Sequence, residues 1–310
     1  MAEFEKTAVL GAGVIGASWT ALFLASGRDV AVFDPDEDTE RLVRDYVETA
    51  WPTLEQLGLA SNGDPDAVTF QRSAVDAVRG AAFVQENVPE RLPIKHALYA
   101  EIEPMLDRNA VVATSASGLT LTELQASWQD PSRLVLGHPF NPPHLIPLVE
   151  VMGNEHTKSG LVEKAERFYD AVGKVTIRVN KEVPGHVANR LQAAIWREAI
   201  HLVAEGVASV EDVDKAIWAG PGLRWAAMGP TLLFHLGAGE GGITEFCERY
   251  AQSFHRWWDD LGNPRLDAET RTALEAGIAR MAQARSTKDL ASERDALLVA
   301  LQKAAKSMRS

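Results

Sequence analysis

His138 and Glu150 stand twelve residues apart in GHPFNPPHLIPLVEV, residues 137–151. Imidazole is the side chain that takes and returns a proton near neutral pH, and a carboxylate on its far nitrogen fixes the tautomer and supports the imidazolium. Such a pair suits general acid–base work. The same two residues also have an ordinary structural reading, a loop histidine and a charge at a strand edge. A second group of chemistry-bearing residues opens the chain. GAGVIG (11–16) follows the apolar run TAVL (7–10) and leads into ASWTALFLASG, whose apolar residues recur at helical spacing. Gly11 and Gly13 permit a tight turn and close approach of a pyrophosphate. Gly16 lets the helix pack on the strand, and the N–H groups around Val14 and Ile15 at the helix start face the phosphates. DVAVFD then ends in Asp34, 23 residues after Gly11, where a carboxylate accepts both ribose hydroxyls and repels a 2′-phosphate. These residues predict NAD rather than NADP.

The elements that must position these groups read as an alternation. After Asp34, residues 36–61 are rich in Leu, Val, Glu and Arg at helical period, which predicts a helical hairpin before the chain re-enters the sheet at AVTFQ (67–71). AAFVQENV, AVVATSAS and LVLGHPF read as further strands and PIKHALYAEIEPML as a helix. Alternating strands and helices imply a parallel, doubly wound sheet of the Rossmann type, which binds ligands at the carboxyl ends of its strands. Glu90, Ser117 and His138 each follow a separate apolar strand and should converge there. Beyond KEVPG (181–185) the pattern turns all-helical. VANRLQAAIWREAIHLVAEG carries an apolar stripe that stops at Gly206, and Ser209 with Asp212 has the spacing of a helix cap. The segment 230–305 is again helical, interrupted at 237–242 and 261–265. The expected organisation is a dinucleotide-binding domain over 1–184 and an all-α domain over 185–310.

Composition removes several function classes. With 46% hydrophobic and 24% charged residues in 310, the chain can bury two ordinary cores, which excludes a disordered or fibrous protein. A net charge of -12 repels nucleic-acid backbones and anionic lipids, and apolar runs are interrupted by charge before the ~20 residues that a membrane span requires. The single cysteine, Cys247, builds neither an intrachain disulfide nor a cysteine metal site, and the N-terminus lacks a signal-peptide pattern, so the cytoplasm is the expected compartment. No His, Asp, Glu and Cys cluster has metal-ligand spacing, so no metal is expected. His144, His186, His235 and His255 belong to no motif and read as structural or exposed.

The ordered set LGAGVIG, ENVPERLPIK, TSASGL, GHPFNP, PLVEV and KEVPGHVANRL resembles the 3-hydroxyacyl-CoA dehydrogenase superfamily along almost the whole chain. That resemblance implies that His138 is the general base and Glu150 its orienting acid. It implies that Ser117 and Asn189 hydrogen-bond the reacting oxygen, that Glu90 and Lys95 line the cofactor cleft, and that the helical domain carries the contact of a homodimer. Taken alone, Ser117 also reads as a turn residue, Asn189 as a helix cap and Lys95 as a solvated helix charge. The segment GPGLRWAAMGP (220–230) departs from the turn typical of acyl-CoA members, and Pro139 replaces a second phenylalanine. Both departures resemble the branch acting on free 3-hydroxy acids, chiefly the L-carnitine dehydrogenases and L-gulonate 3-dehydrogenases. There a guanidinium such as that of Arg224 would grip the substrate carboxylate, although a salt bridge closing the turn is its structural alternative. Carnitine's quaternary ammonium has no N–H and is best held by aromatic faces, for which Trp225 and Trp196 are the candidates, whereas gulonate would need several donors and acceptors. Arg-Trp at 224–225 and AWPTLEQLGL (50–59) resemble the carnitine enzymes; GPTLLFHLGAGEG and FCERY resemble the lambda-crystallin group. The expected reaction is NAD-dependent oxidation of a 3-hydroxy acid to its 3-keto acid, with L-carnitine the leading substrate and L-gulonate or a short-chain 3-hydroxyacyl-CoA the alternatives. A non-catalytic NAD-binding protein on the same fold is the reading from another class.

Overall fold

In a computed structural model, which describes residues 4–309, the apolar runs of the N-terminal half become short, buried strands. β1 (Lys6–Leu10), β2 (Asp29–Phe33), β3 (Val68–Phe70), β4 (Phe83–Glu86), β5 (Val111–Thr114) and β6 (Leu134–Pro139) pair in parallel in the order β3-β2-β1-β4-β5-β6. β7 (Leu148–Met152) joins antiparallel to β6, and β8 (Val175–Arg178) closes the sheet parallel to β7. Successive strand residues point to opposite faces, so each strand feeds two cores. Val9, Phe83, Val111 and Val135 pack with Trp19, Phe23 and Phe168 on one face. Ala8, Val84, Val112 and Leu136 pack with Leu98, Tyr99, Ile102 and Trp128 on the other.

The crossover helices are α1 (Val14–Ala25), α2 (Thr39–Gln56), α3 (Ala74–Val78), α4 (Leu92–Ile102), α5 (Leu121–Gln125) and α6 (Leu161–Ala171). The hairpin expected over 36–61 is instead the single helix α2, which runs through Pro52. Val43, Val47, Ala50 and Leu54 form one continuous buried stripe, so no turn can interrupt the segment without unburying it, and Pro52 sits on the exposed side. The loop between β6 and β7 is fastened from three directions. His144 exchanges hydrogen bonds with Ser18 of α1 and faces Tyr46 of α2, while buried Lys174 donates to the carbonyls of Pro143 and Ile146. Burial pulls the Lys174 ammonium down to about 7. His144 is thus a structural residue.

The chain separates into one compact unit ending at Ala188 and another beginning at Asn189. The second is built from α7 (Ala188–Ala204), α8 (Val210–Ala219), α9 (Pro221–Ala227), α10 (Pro230–Gly237), α11 (Gly242–Asp260), α12 (Ala268–Ala282) and α13 (Thr287–Arg309). Ser209 caps α8 by accepting from the Asp212 N–H, as its spacing predicts. The segment around Arg224, read as a turn, is the helix α9; Pro221 at its first position supplies a helical φ, and the N–H it lacks would have had no partner there. Phe234, Phe246 and Phe254 form an aromatic centre, with the first two rings stacked 4.7 Å apart. Among the described residues no helix is long and apolar enough to cross a membrane.

Candidate active site

The glycine loop follows β1 and opens α1. Gly11 has φ +82°, and a Cβ there would meet the Val88 nitrogen at 2.6 Å; at Gly16 it would meet the Gly11 carbonyl oxygen at 1.9 Å. Both positions are therefore dictated by the protein's own packing. Gly13 differs, because a Cβ there would meet nothing within 4 Å. The space above Gly13 is open, and the N-terminus of α1 has neither a side-chain cap nor an acidic first turn. Beside it Val14 is 64% exposed, so the helix start presents bare N–H groups to an anion. Asp34 follows directly on β2. Its Oδ2 accepts from the Ala12 N–H at 2.7 Å and its Oδ1 from the Asp36 N–H at 3.1 Å, which ties the carboxylate to the same loop. An open pyrophosphate cradle with a carboxylate at its edge fits a dinucleotide.

At the carboxyl ends of β4 and β5 the chain brings Glu90 and Ser117 together. Ser117 donates its hydroxyl to Glu90 Oε2 at 2.8 Å, and the Ser117, Gly118 and Leu119 N–H groups all donate to Oε1. Burial pushes the Glu90 carboxyl up, but these donors outweigh it and hold the group below its ordinary value. Lys95 behaves differently from expectation. It does not meet solvent as a helix charge would: its side chain is 1% exposed and its ammonium lies 2.6 Å from Glu86 Oε1. Tyr99 and Thr114 donate to the other Glu86 oxygen at 2.6 and 2.7 Å. Two charges removed from water this completely must neutralise each other.

His138 was expected to follow its strand, yet it lies within β6, because the antiparallel partner β7 extends the pairing past it. The register places His138 directly opposite Glu150, and Nδ1 sits 2.8 Å from Oε2. Glu150 Oε1 is occupied as well, accepting from the Val187 and Ala188 N–H groups at 2.8 and 2.9 Å, where α7 begins. A carboxylate so engaged holds Nδ1 as the protonated nitrogen and leaves the Nε2 lone pair as the proton acceptor. Burial pulls the His138 imidazole below its ordinary value; the Glu150 hydrogen bond opposes this and the neighbouring His186 adds to it. The net effect is a neutral base at physiological pH, as alcohol oxidation requires.

His186 belongs to no motif, and the fold brings it close to His138. It is 3% exposed, and its ring centroid lies 5.2 Å from that of His138. The available signal was Pro184-Gly185, a tight-turn pair that reverses the chain and sends the next side chain inward. In the helical unit, Asn189 lies in the first turn of α7 rather than at its cap. Trp196 on the same helix is 50% exposed. Arg224 is exposed on α9 without a salt bridge among the described residues, which removes the turn-closing reading, and Trp225 beside it is half-buried.

A family model described as 3-hydroxyacyl-CoA dehydrogenase, NAD binding domain, matches residues 6–183, and its C-terminal counterpart matches residues 185–272. The chain belongs to the 3-hydroxyacyl-CoA dehydrogenase family. It is 48% identical to an L-carnitine dehydrogenase of Streptomyces coelicolor over 94% of this chain and 92% of that protein. To the L-carnitine dehydrogenase of Pseudomonas putida it is 40% identical over 99% and 96%. Among solved structures it resembles an NAD+-dependent dismutase, 5-formyl-3-hydroxy-2-methylpyridine 4-carboxylic acid 5-dehydrogenase, with TM-score 0.84 and 30% identity over 98% of this chain and 99% of that one. The chain is an NAD-dependent oxidoreductase of this family. Bound NAD supplies the hydride acceptor. The Gly11–Gly16 loop and the start of α1 would hold its pyrophosphate and Asp34 its ribose.

Proposed function

We propose that this protein oxidises the 3-hydroxyl of L-carnitine to 3-dehydrocarnitine, with NAD taking the hydride. One observation carries the reading: relatives named L-carnitine dehydrogenase share 40–48% identity with it over nearly its full length. The His138–Glu150 pair agrees with it chemically. His138 Nε2 removes the hydroxyl proton, Glu150 supports the resulting imidazolium through Nδ1–H, and Ser117 and Asn189 orient the reacting oxygen. Glu90 fixes the Ser117 loop. Arg224 grips the carboxylate by charge-assisted hydrogen bonds, and Trp225 and Trp196 offer aromatic faces to the trimethylammonium.

We further infer that the protein works as a homodimer through its helical unit, where Leu191, Trp218, Trp257 and Trp258 are each more than 50% exposed in the single chain. Apolar surface of that extent is normally covered by a partner. The exposed, unpaired Cys247 suits a reducing compartment, the cytoplasm.

The test is NADH formation from L-carnitine, L-gulonate, 3-hydroxybutyrate and 3-hydroxybutyryl-CoA, repeated with Arg224→Ala, Trp225→Ala and Trp196→Ala. L-Carnitine should be the best substrate, and losing Arg224 should harm every free acid. Losing the tryptophan that faces the ammonium should cost carnitine roughly thirty-fold in kcat/KM, the equivalent of about 2 kcal/mol, and 3-hydroxybutyrate far less. Equal losses on both substrates for both tryptophan variants would assign these residues to packing alone.

A further inference from the structure

We propose that His186 is a positioning residue of the catalytic base: it shares one buried space with His138, and its imidazole, held beside that of His138, disfavours an imidazolium there and keeps His138 ready to accept a proton from the alcohol. The inference rests on His138 acting as the base in the proposed oxidation, and it starts from an unusual backbone. Val183, Pro184, Gly185 and His186 form a tight turn closed by the His186 N–H donating to the Val183 carbonyl at 3.1 Å, with Gly185 at φ +75°. His186 itself has φ +48°, a left-handed conformation that a side-chain-bearing residue adopts at a cost. That conformation carries its imidazole inward to 3% exposure, with Nε2 3.2 Å from the Ala116 carbonyl oxygen.

A carbonyl can only accept, so Nε2 carries a proton. Nδ1 is left buried with no hydrogen-bond partner among the described residues. A neutral His186 thus keeps an unused lone pair, and a charged one an unused N–H, 5.2 Å from the ring of His138 by centroids. Each strand and loop around this space contributes what it carries. β7 contributes Glu150, bonded to His138, and the loop after β4 contributes Glu90, bonded to Ser117. The loop after β5 offers only the Ala116 carbonyl. In the segment of His186 itself, Glu182 is turned to Thr122 and Asn154, Lys181 is exposed, and Arg190 follows exposed on α7. Glu150 is the carboxylate in direct contact with either imidazole, and a single negative charge supports one imidazolium there better than two. A proton on His186 opposes one on His138, which is also the direction in which His186 acts on its neighbour.

The experiment is a histidine NMR titration of the whole enzyme without substrate, set beside the pH profile of kcat/KM, for wild type, His186→Asn and His186→Phe. Asparagine tolerates the left-handed backbone and can still donate to Ala116, so it separates loss of charge from loss of fold. In both variants the His138 midpoint should lie at least about 0.5 pH unit higher. That is the shift produced by two unit charges about 5 Å apart even at the dielectric constant of bulk water. The acid limb of kcat/KM should rise with it. An unmoved midpoint in a folded His186→Asn protein would overturn the proposal and leave His186 a packing residue. Failure of the wild type to oxidise L-carnitine, with the NMR shift intact, would reject the substrate and not the role of His186.

Discussion

Proton control at His138 depends on opposed effects. Burial and His186 favour the neutral ring, while the Glu150 hydrogen bond favours the imidazolium. Because the net result lies below the ordinary histidine value, the folded state prefers neutral His138. The stability this contributes is present above the unfolded value of about 6.5 and is lost as pH falls through the folded one. Glu150→Gln preserves shape and removes the charge. The acid limb of kcat/KM should then move to lower pH by about 1 to 2 units, the equivalent of a charge-assisted hydrogen bond of ~1.5–3 kcal/mol, and turnover should fall as the base weakens. A pH profile superimposable on the wild type would show that the 2.8 Å contact does not act on the proton.

At the scale of elements, the junction of β1 with α1 separates what the fold requires from what the cofactor requires. Adding a methyl at Gly16 drives it into the Gly11 carbonyl, whereas the same methyl at Gly13 enters open space. Gly16→Ala should therefore lower Tm through overpacking of about 1–3 kcal/mol and weaken NADH binding together. Gly13→Ala should leave Tm nearly unchanged while weakening NADH. Thermal unfolding and NADH fluorescence titration on both variants make the comparison, and a Gly13→Ala protein with wild-type affinity would remove that position from the cofactor cradle. The β6–β7 pair is equally specific. A shift of one residue would turn His138 away from Glu150 and send it to the other face of the sheet. The buried Lys174 that clamps the intervening loop makes such a shift costly.

For the whole molecule, the large apolar side chains left exposed on the helical unit have to be reconciled with a chain of net charge -12. Covering them in a symmetric pair removes the conflict, since burying apolar area stabilises by roughly 25 cal/mol per Å² and charges can remain on the outer surface. Sedimentation equilibrium should give twice the mass of one chain at micromolar concentration, and Trp218→Ser with Trp257→Ser should shift the protein toward monomer. A monomeric wild type across that range would exclude the homodimer.

Much of the first unit was legible in the sequence, because its determinants are local. Glycine spacing, a following acid and alternating apolar runs each report a backbone requirement within a few residues. They pointed to the nucleotide fold and to Asp34 at the end of β2, whereas the pairing of His138 with Glu150 was implied by the family resemblance. Ser209 was equally readable as a cap. What remained hidden depends on residues brought together from distant parts of the chain. Lys95, expected at the cofactor cleft or as a solvated helix charge, is enclosed by the folded chain with Glu86, Tyr99 and Thr114, and α2 looked breakable until its stripe packed as one surface. His186 belonged to no motif, and only the left-handed turn before α7, combined with the register of β6, puts its ring beside His138. Local backbone chemistry is written in sequence spacing; the partner of a buried charge is decided by which strands and helices the completed fold sets side by side.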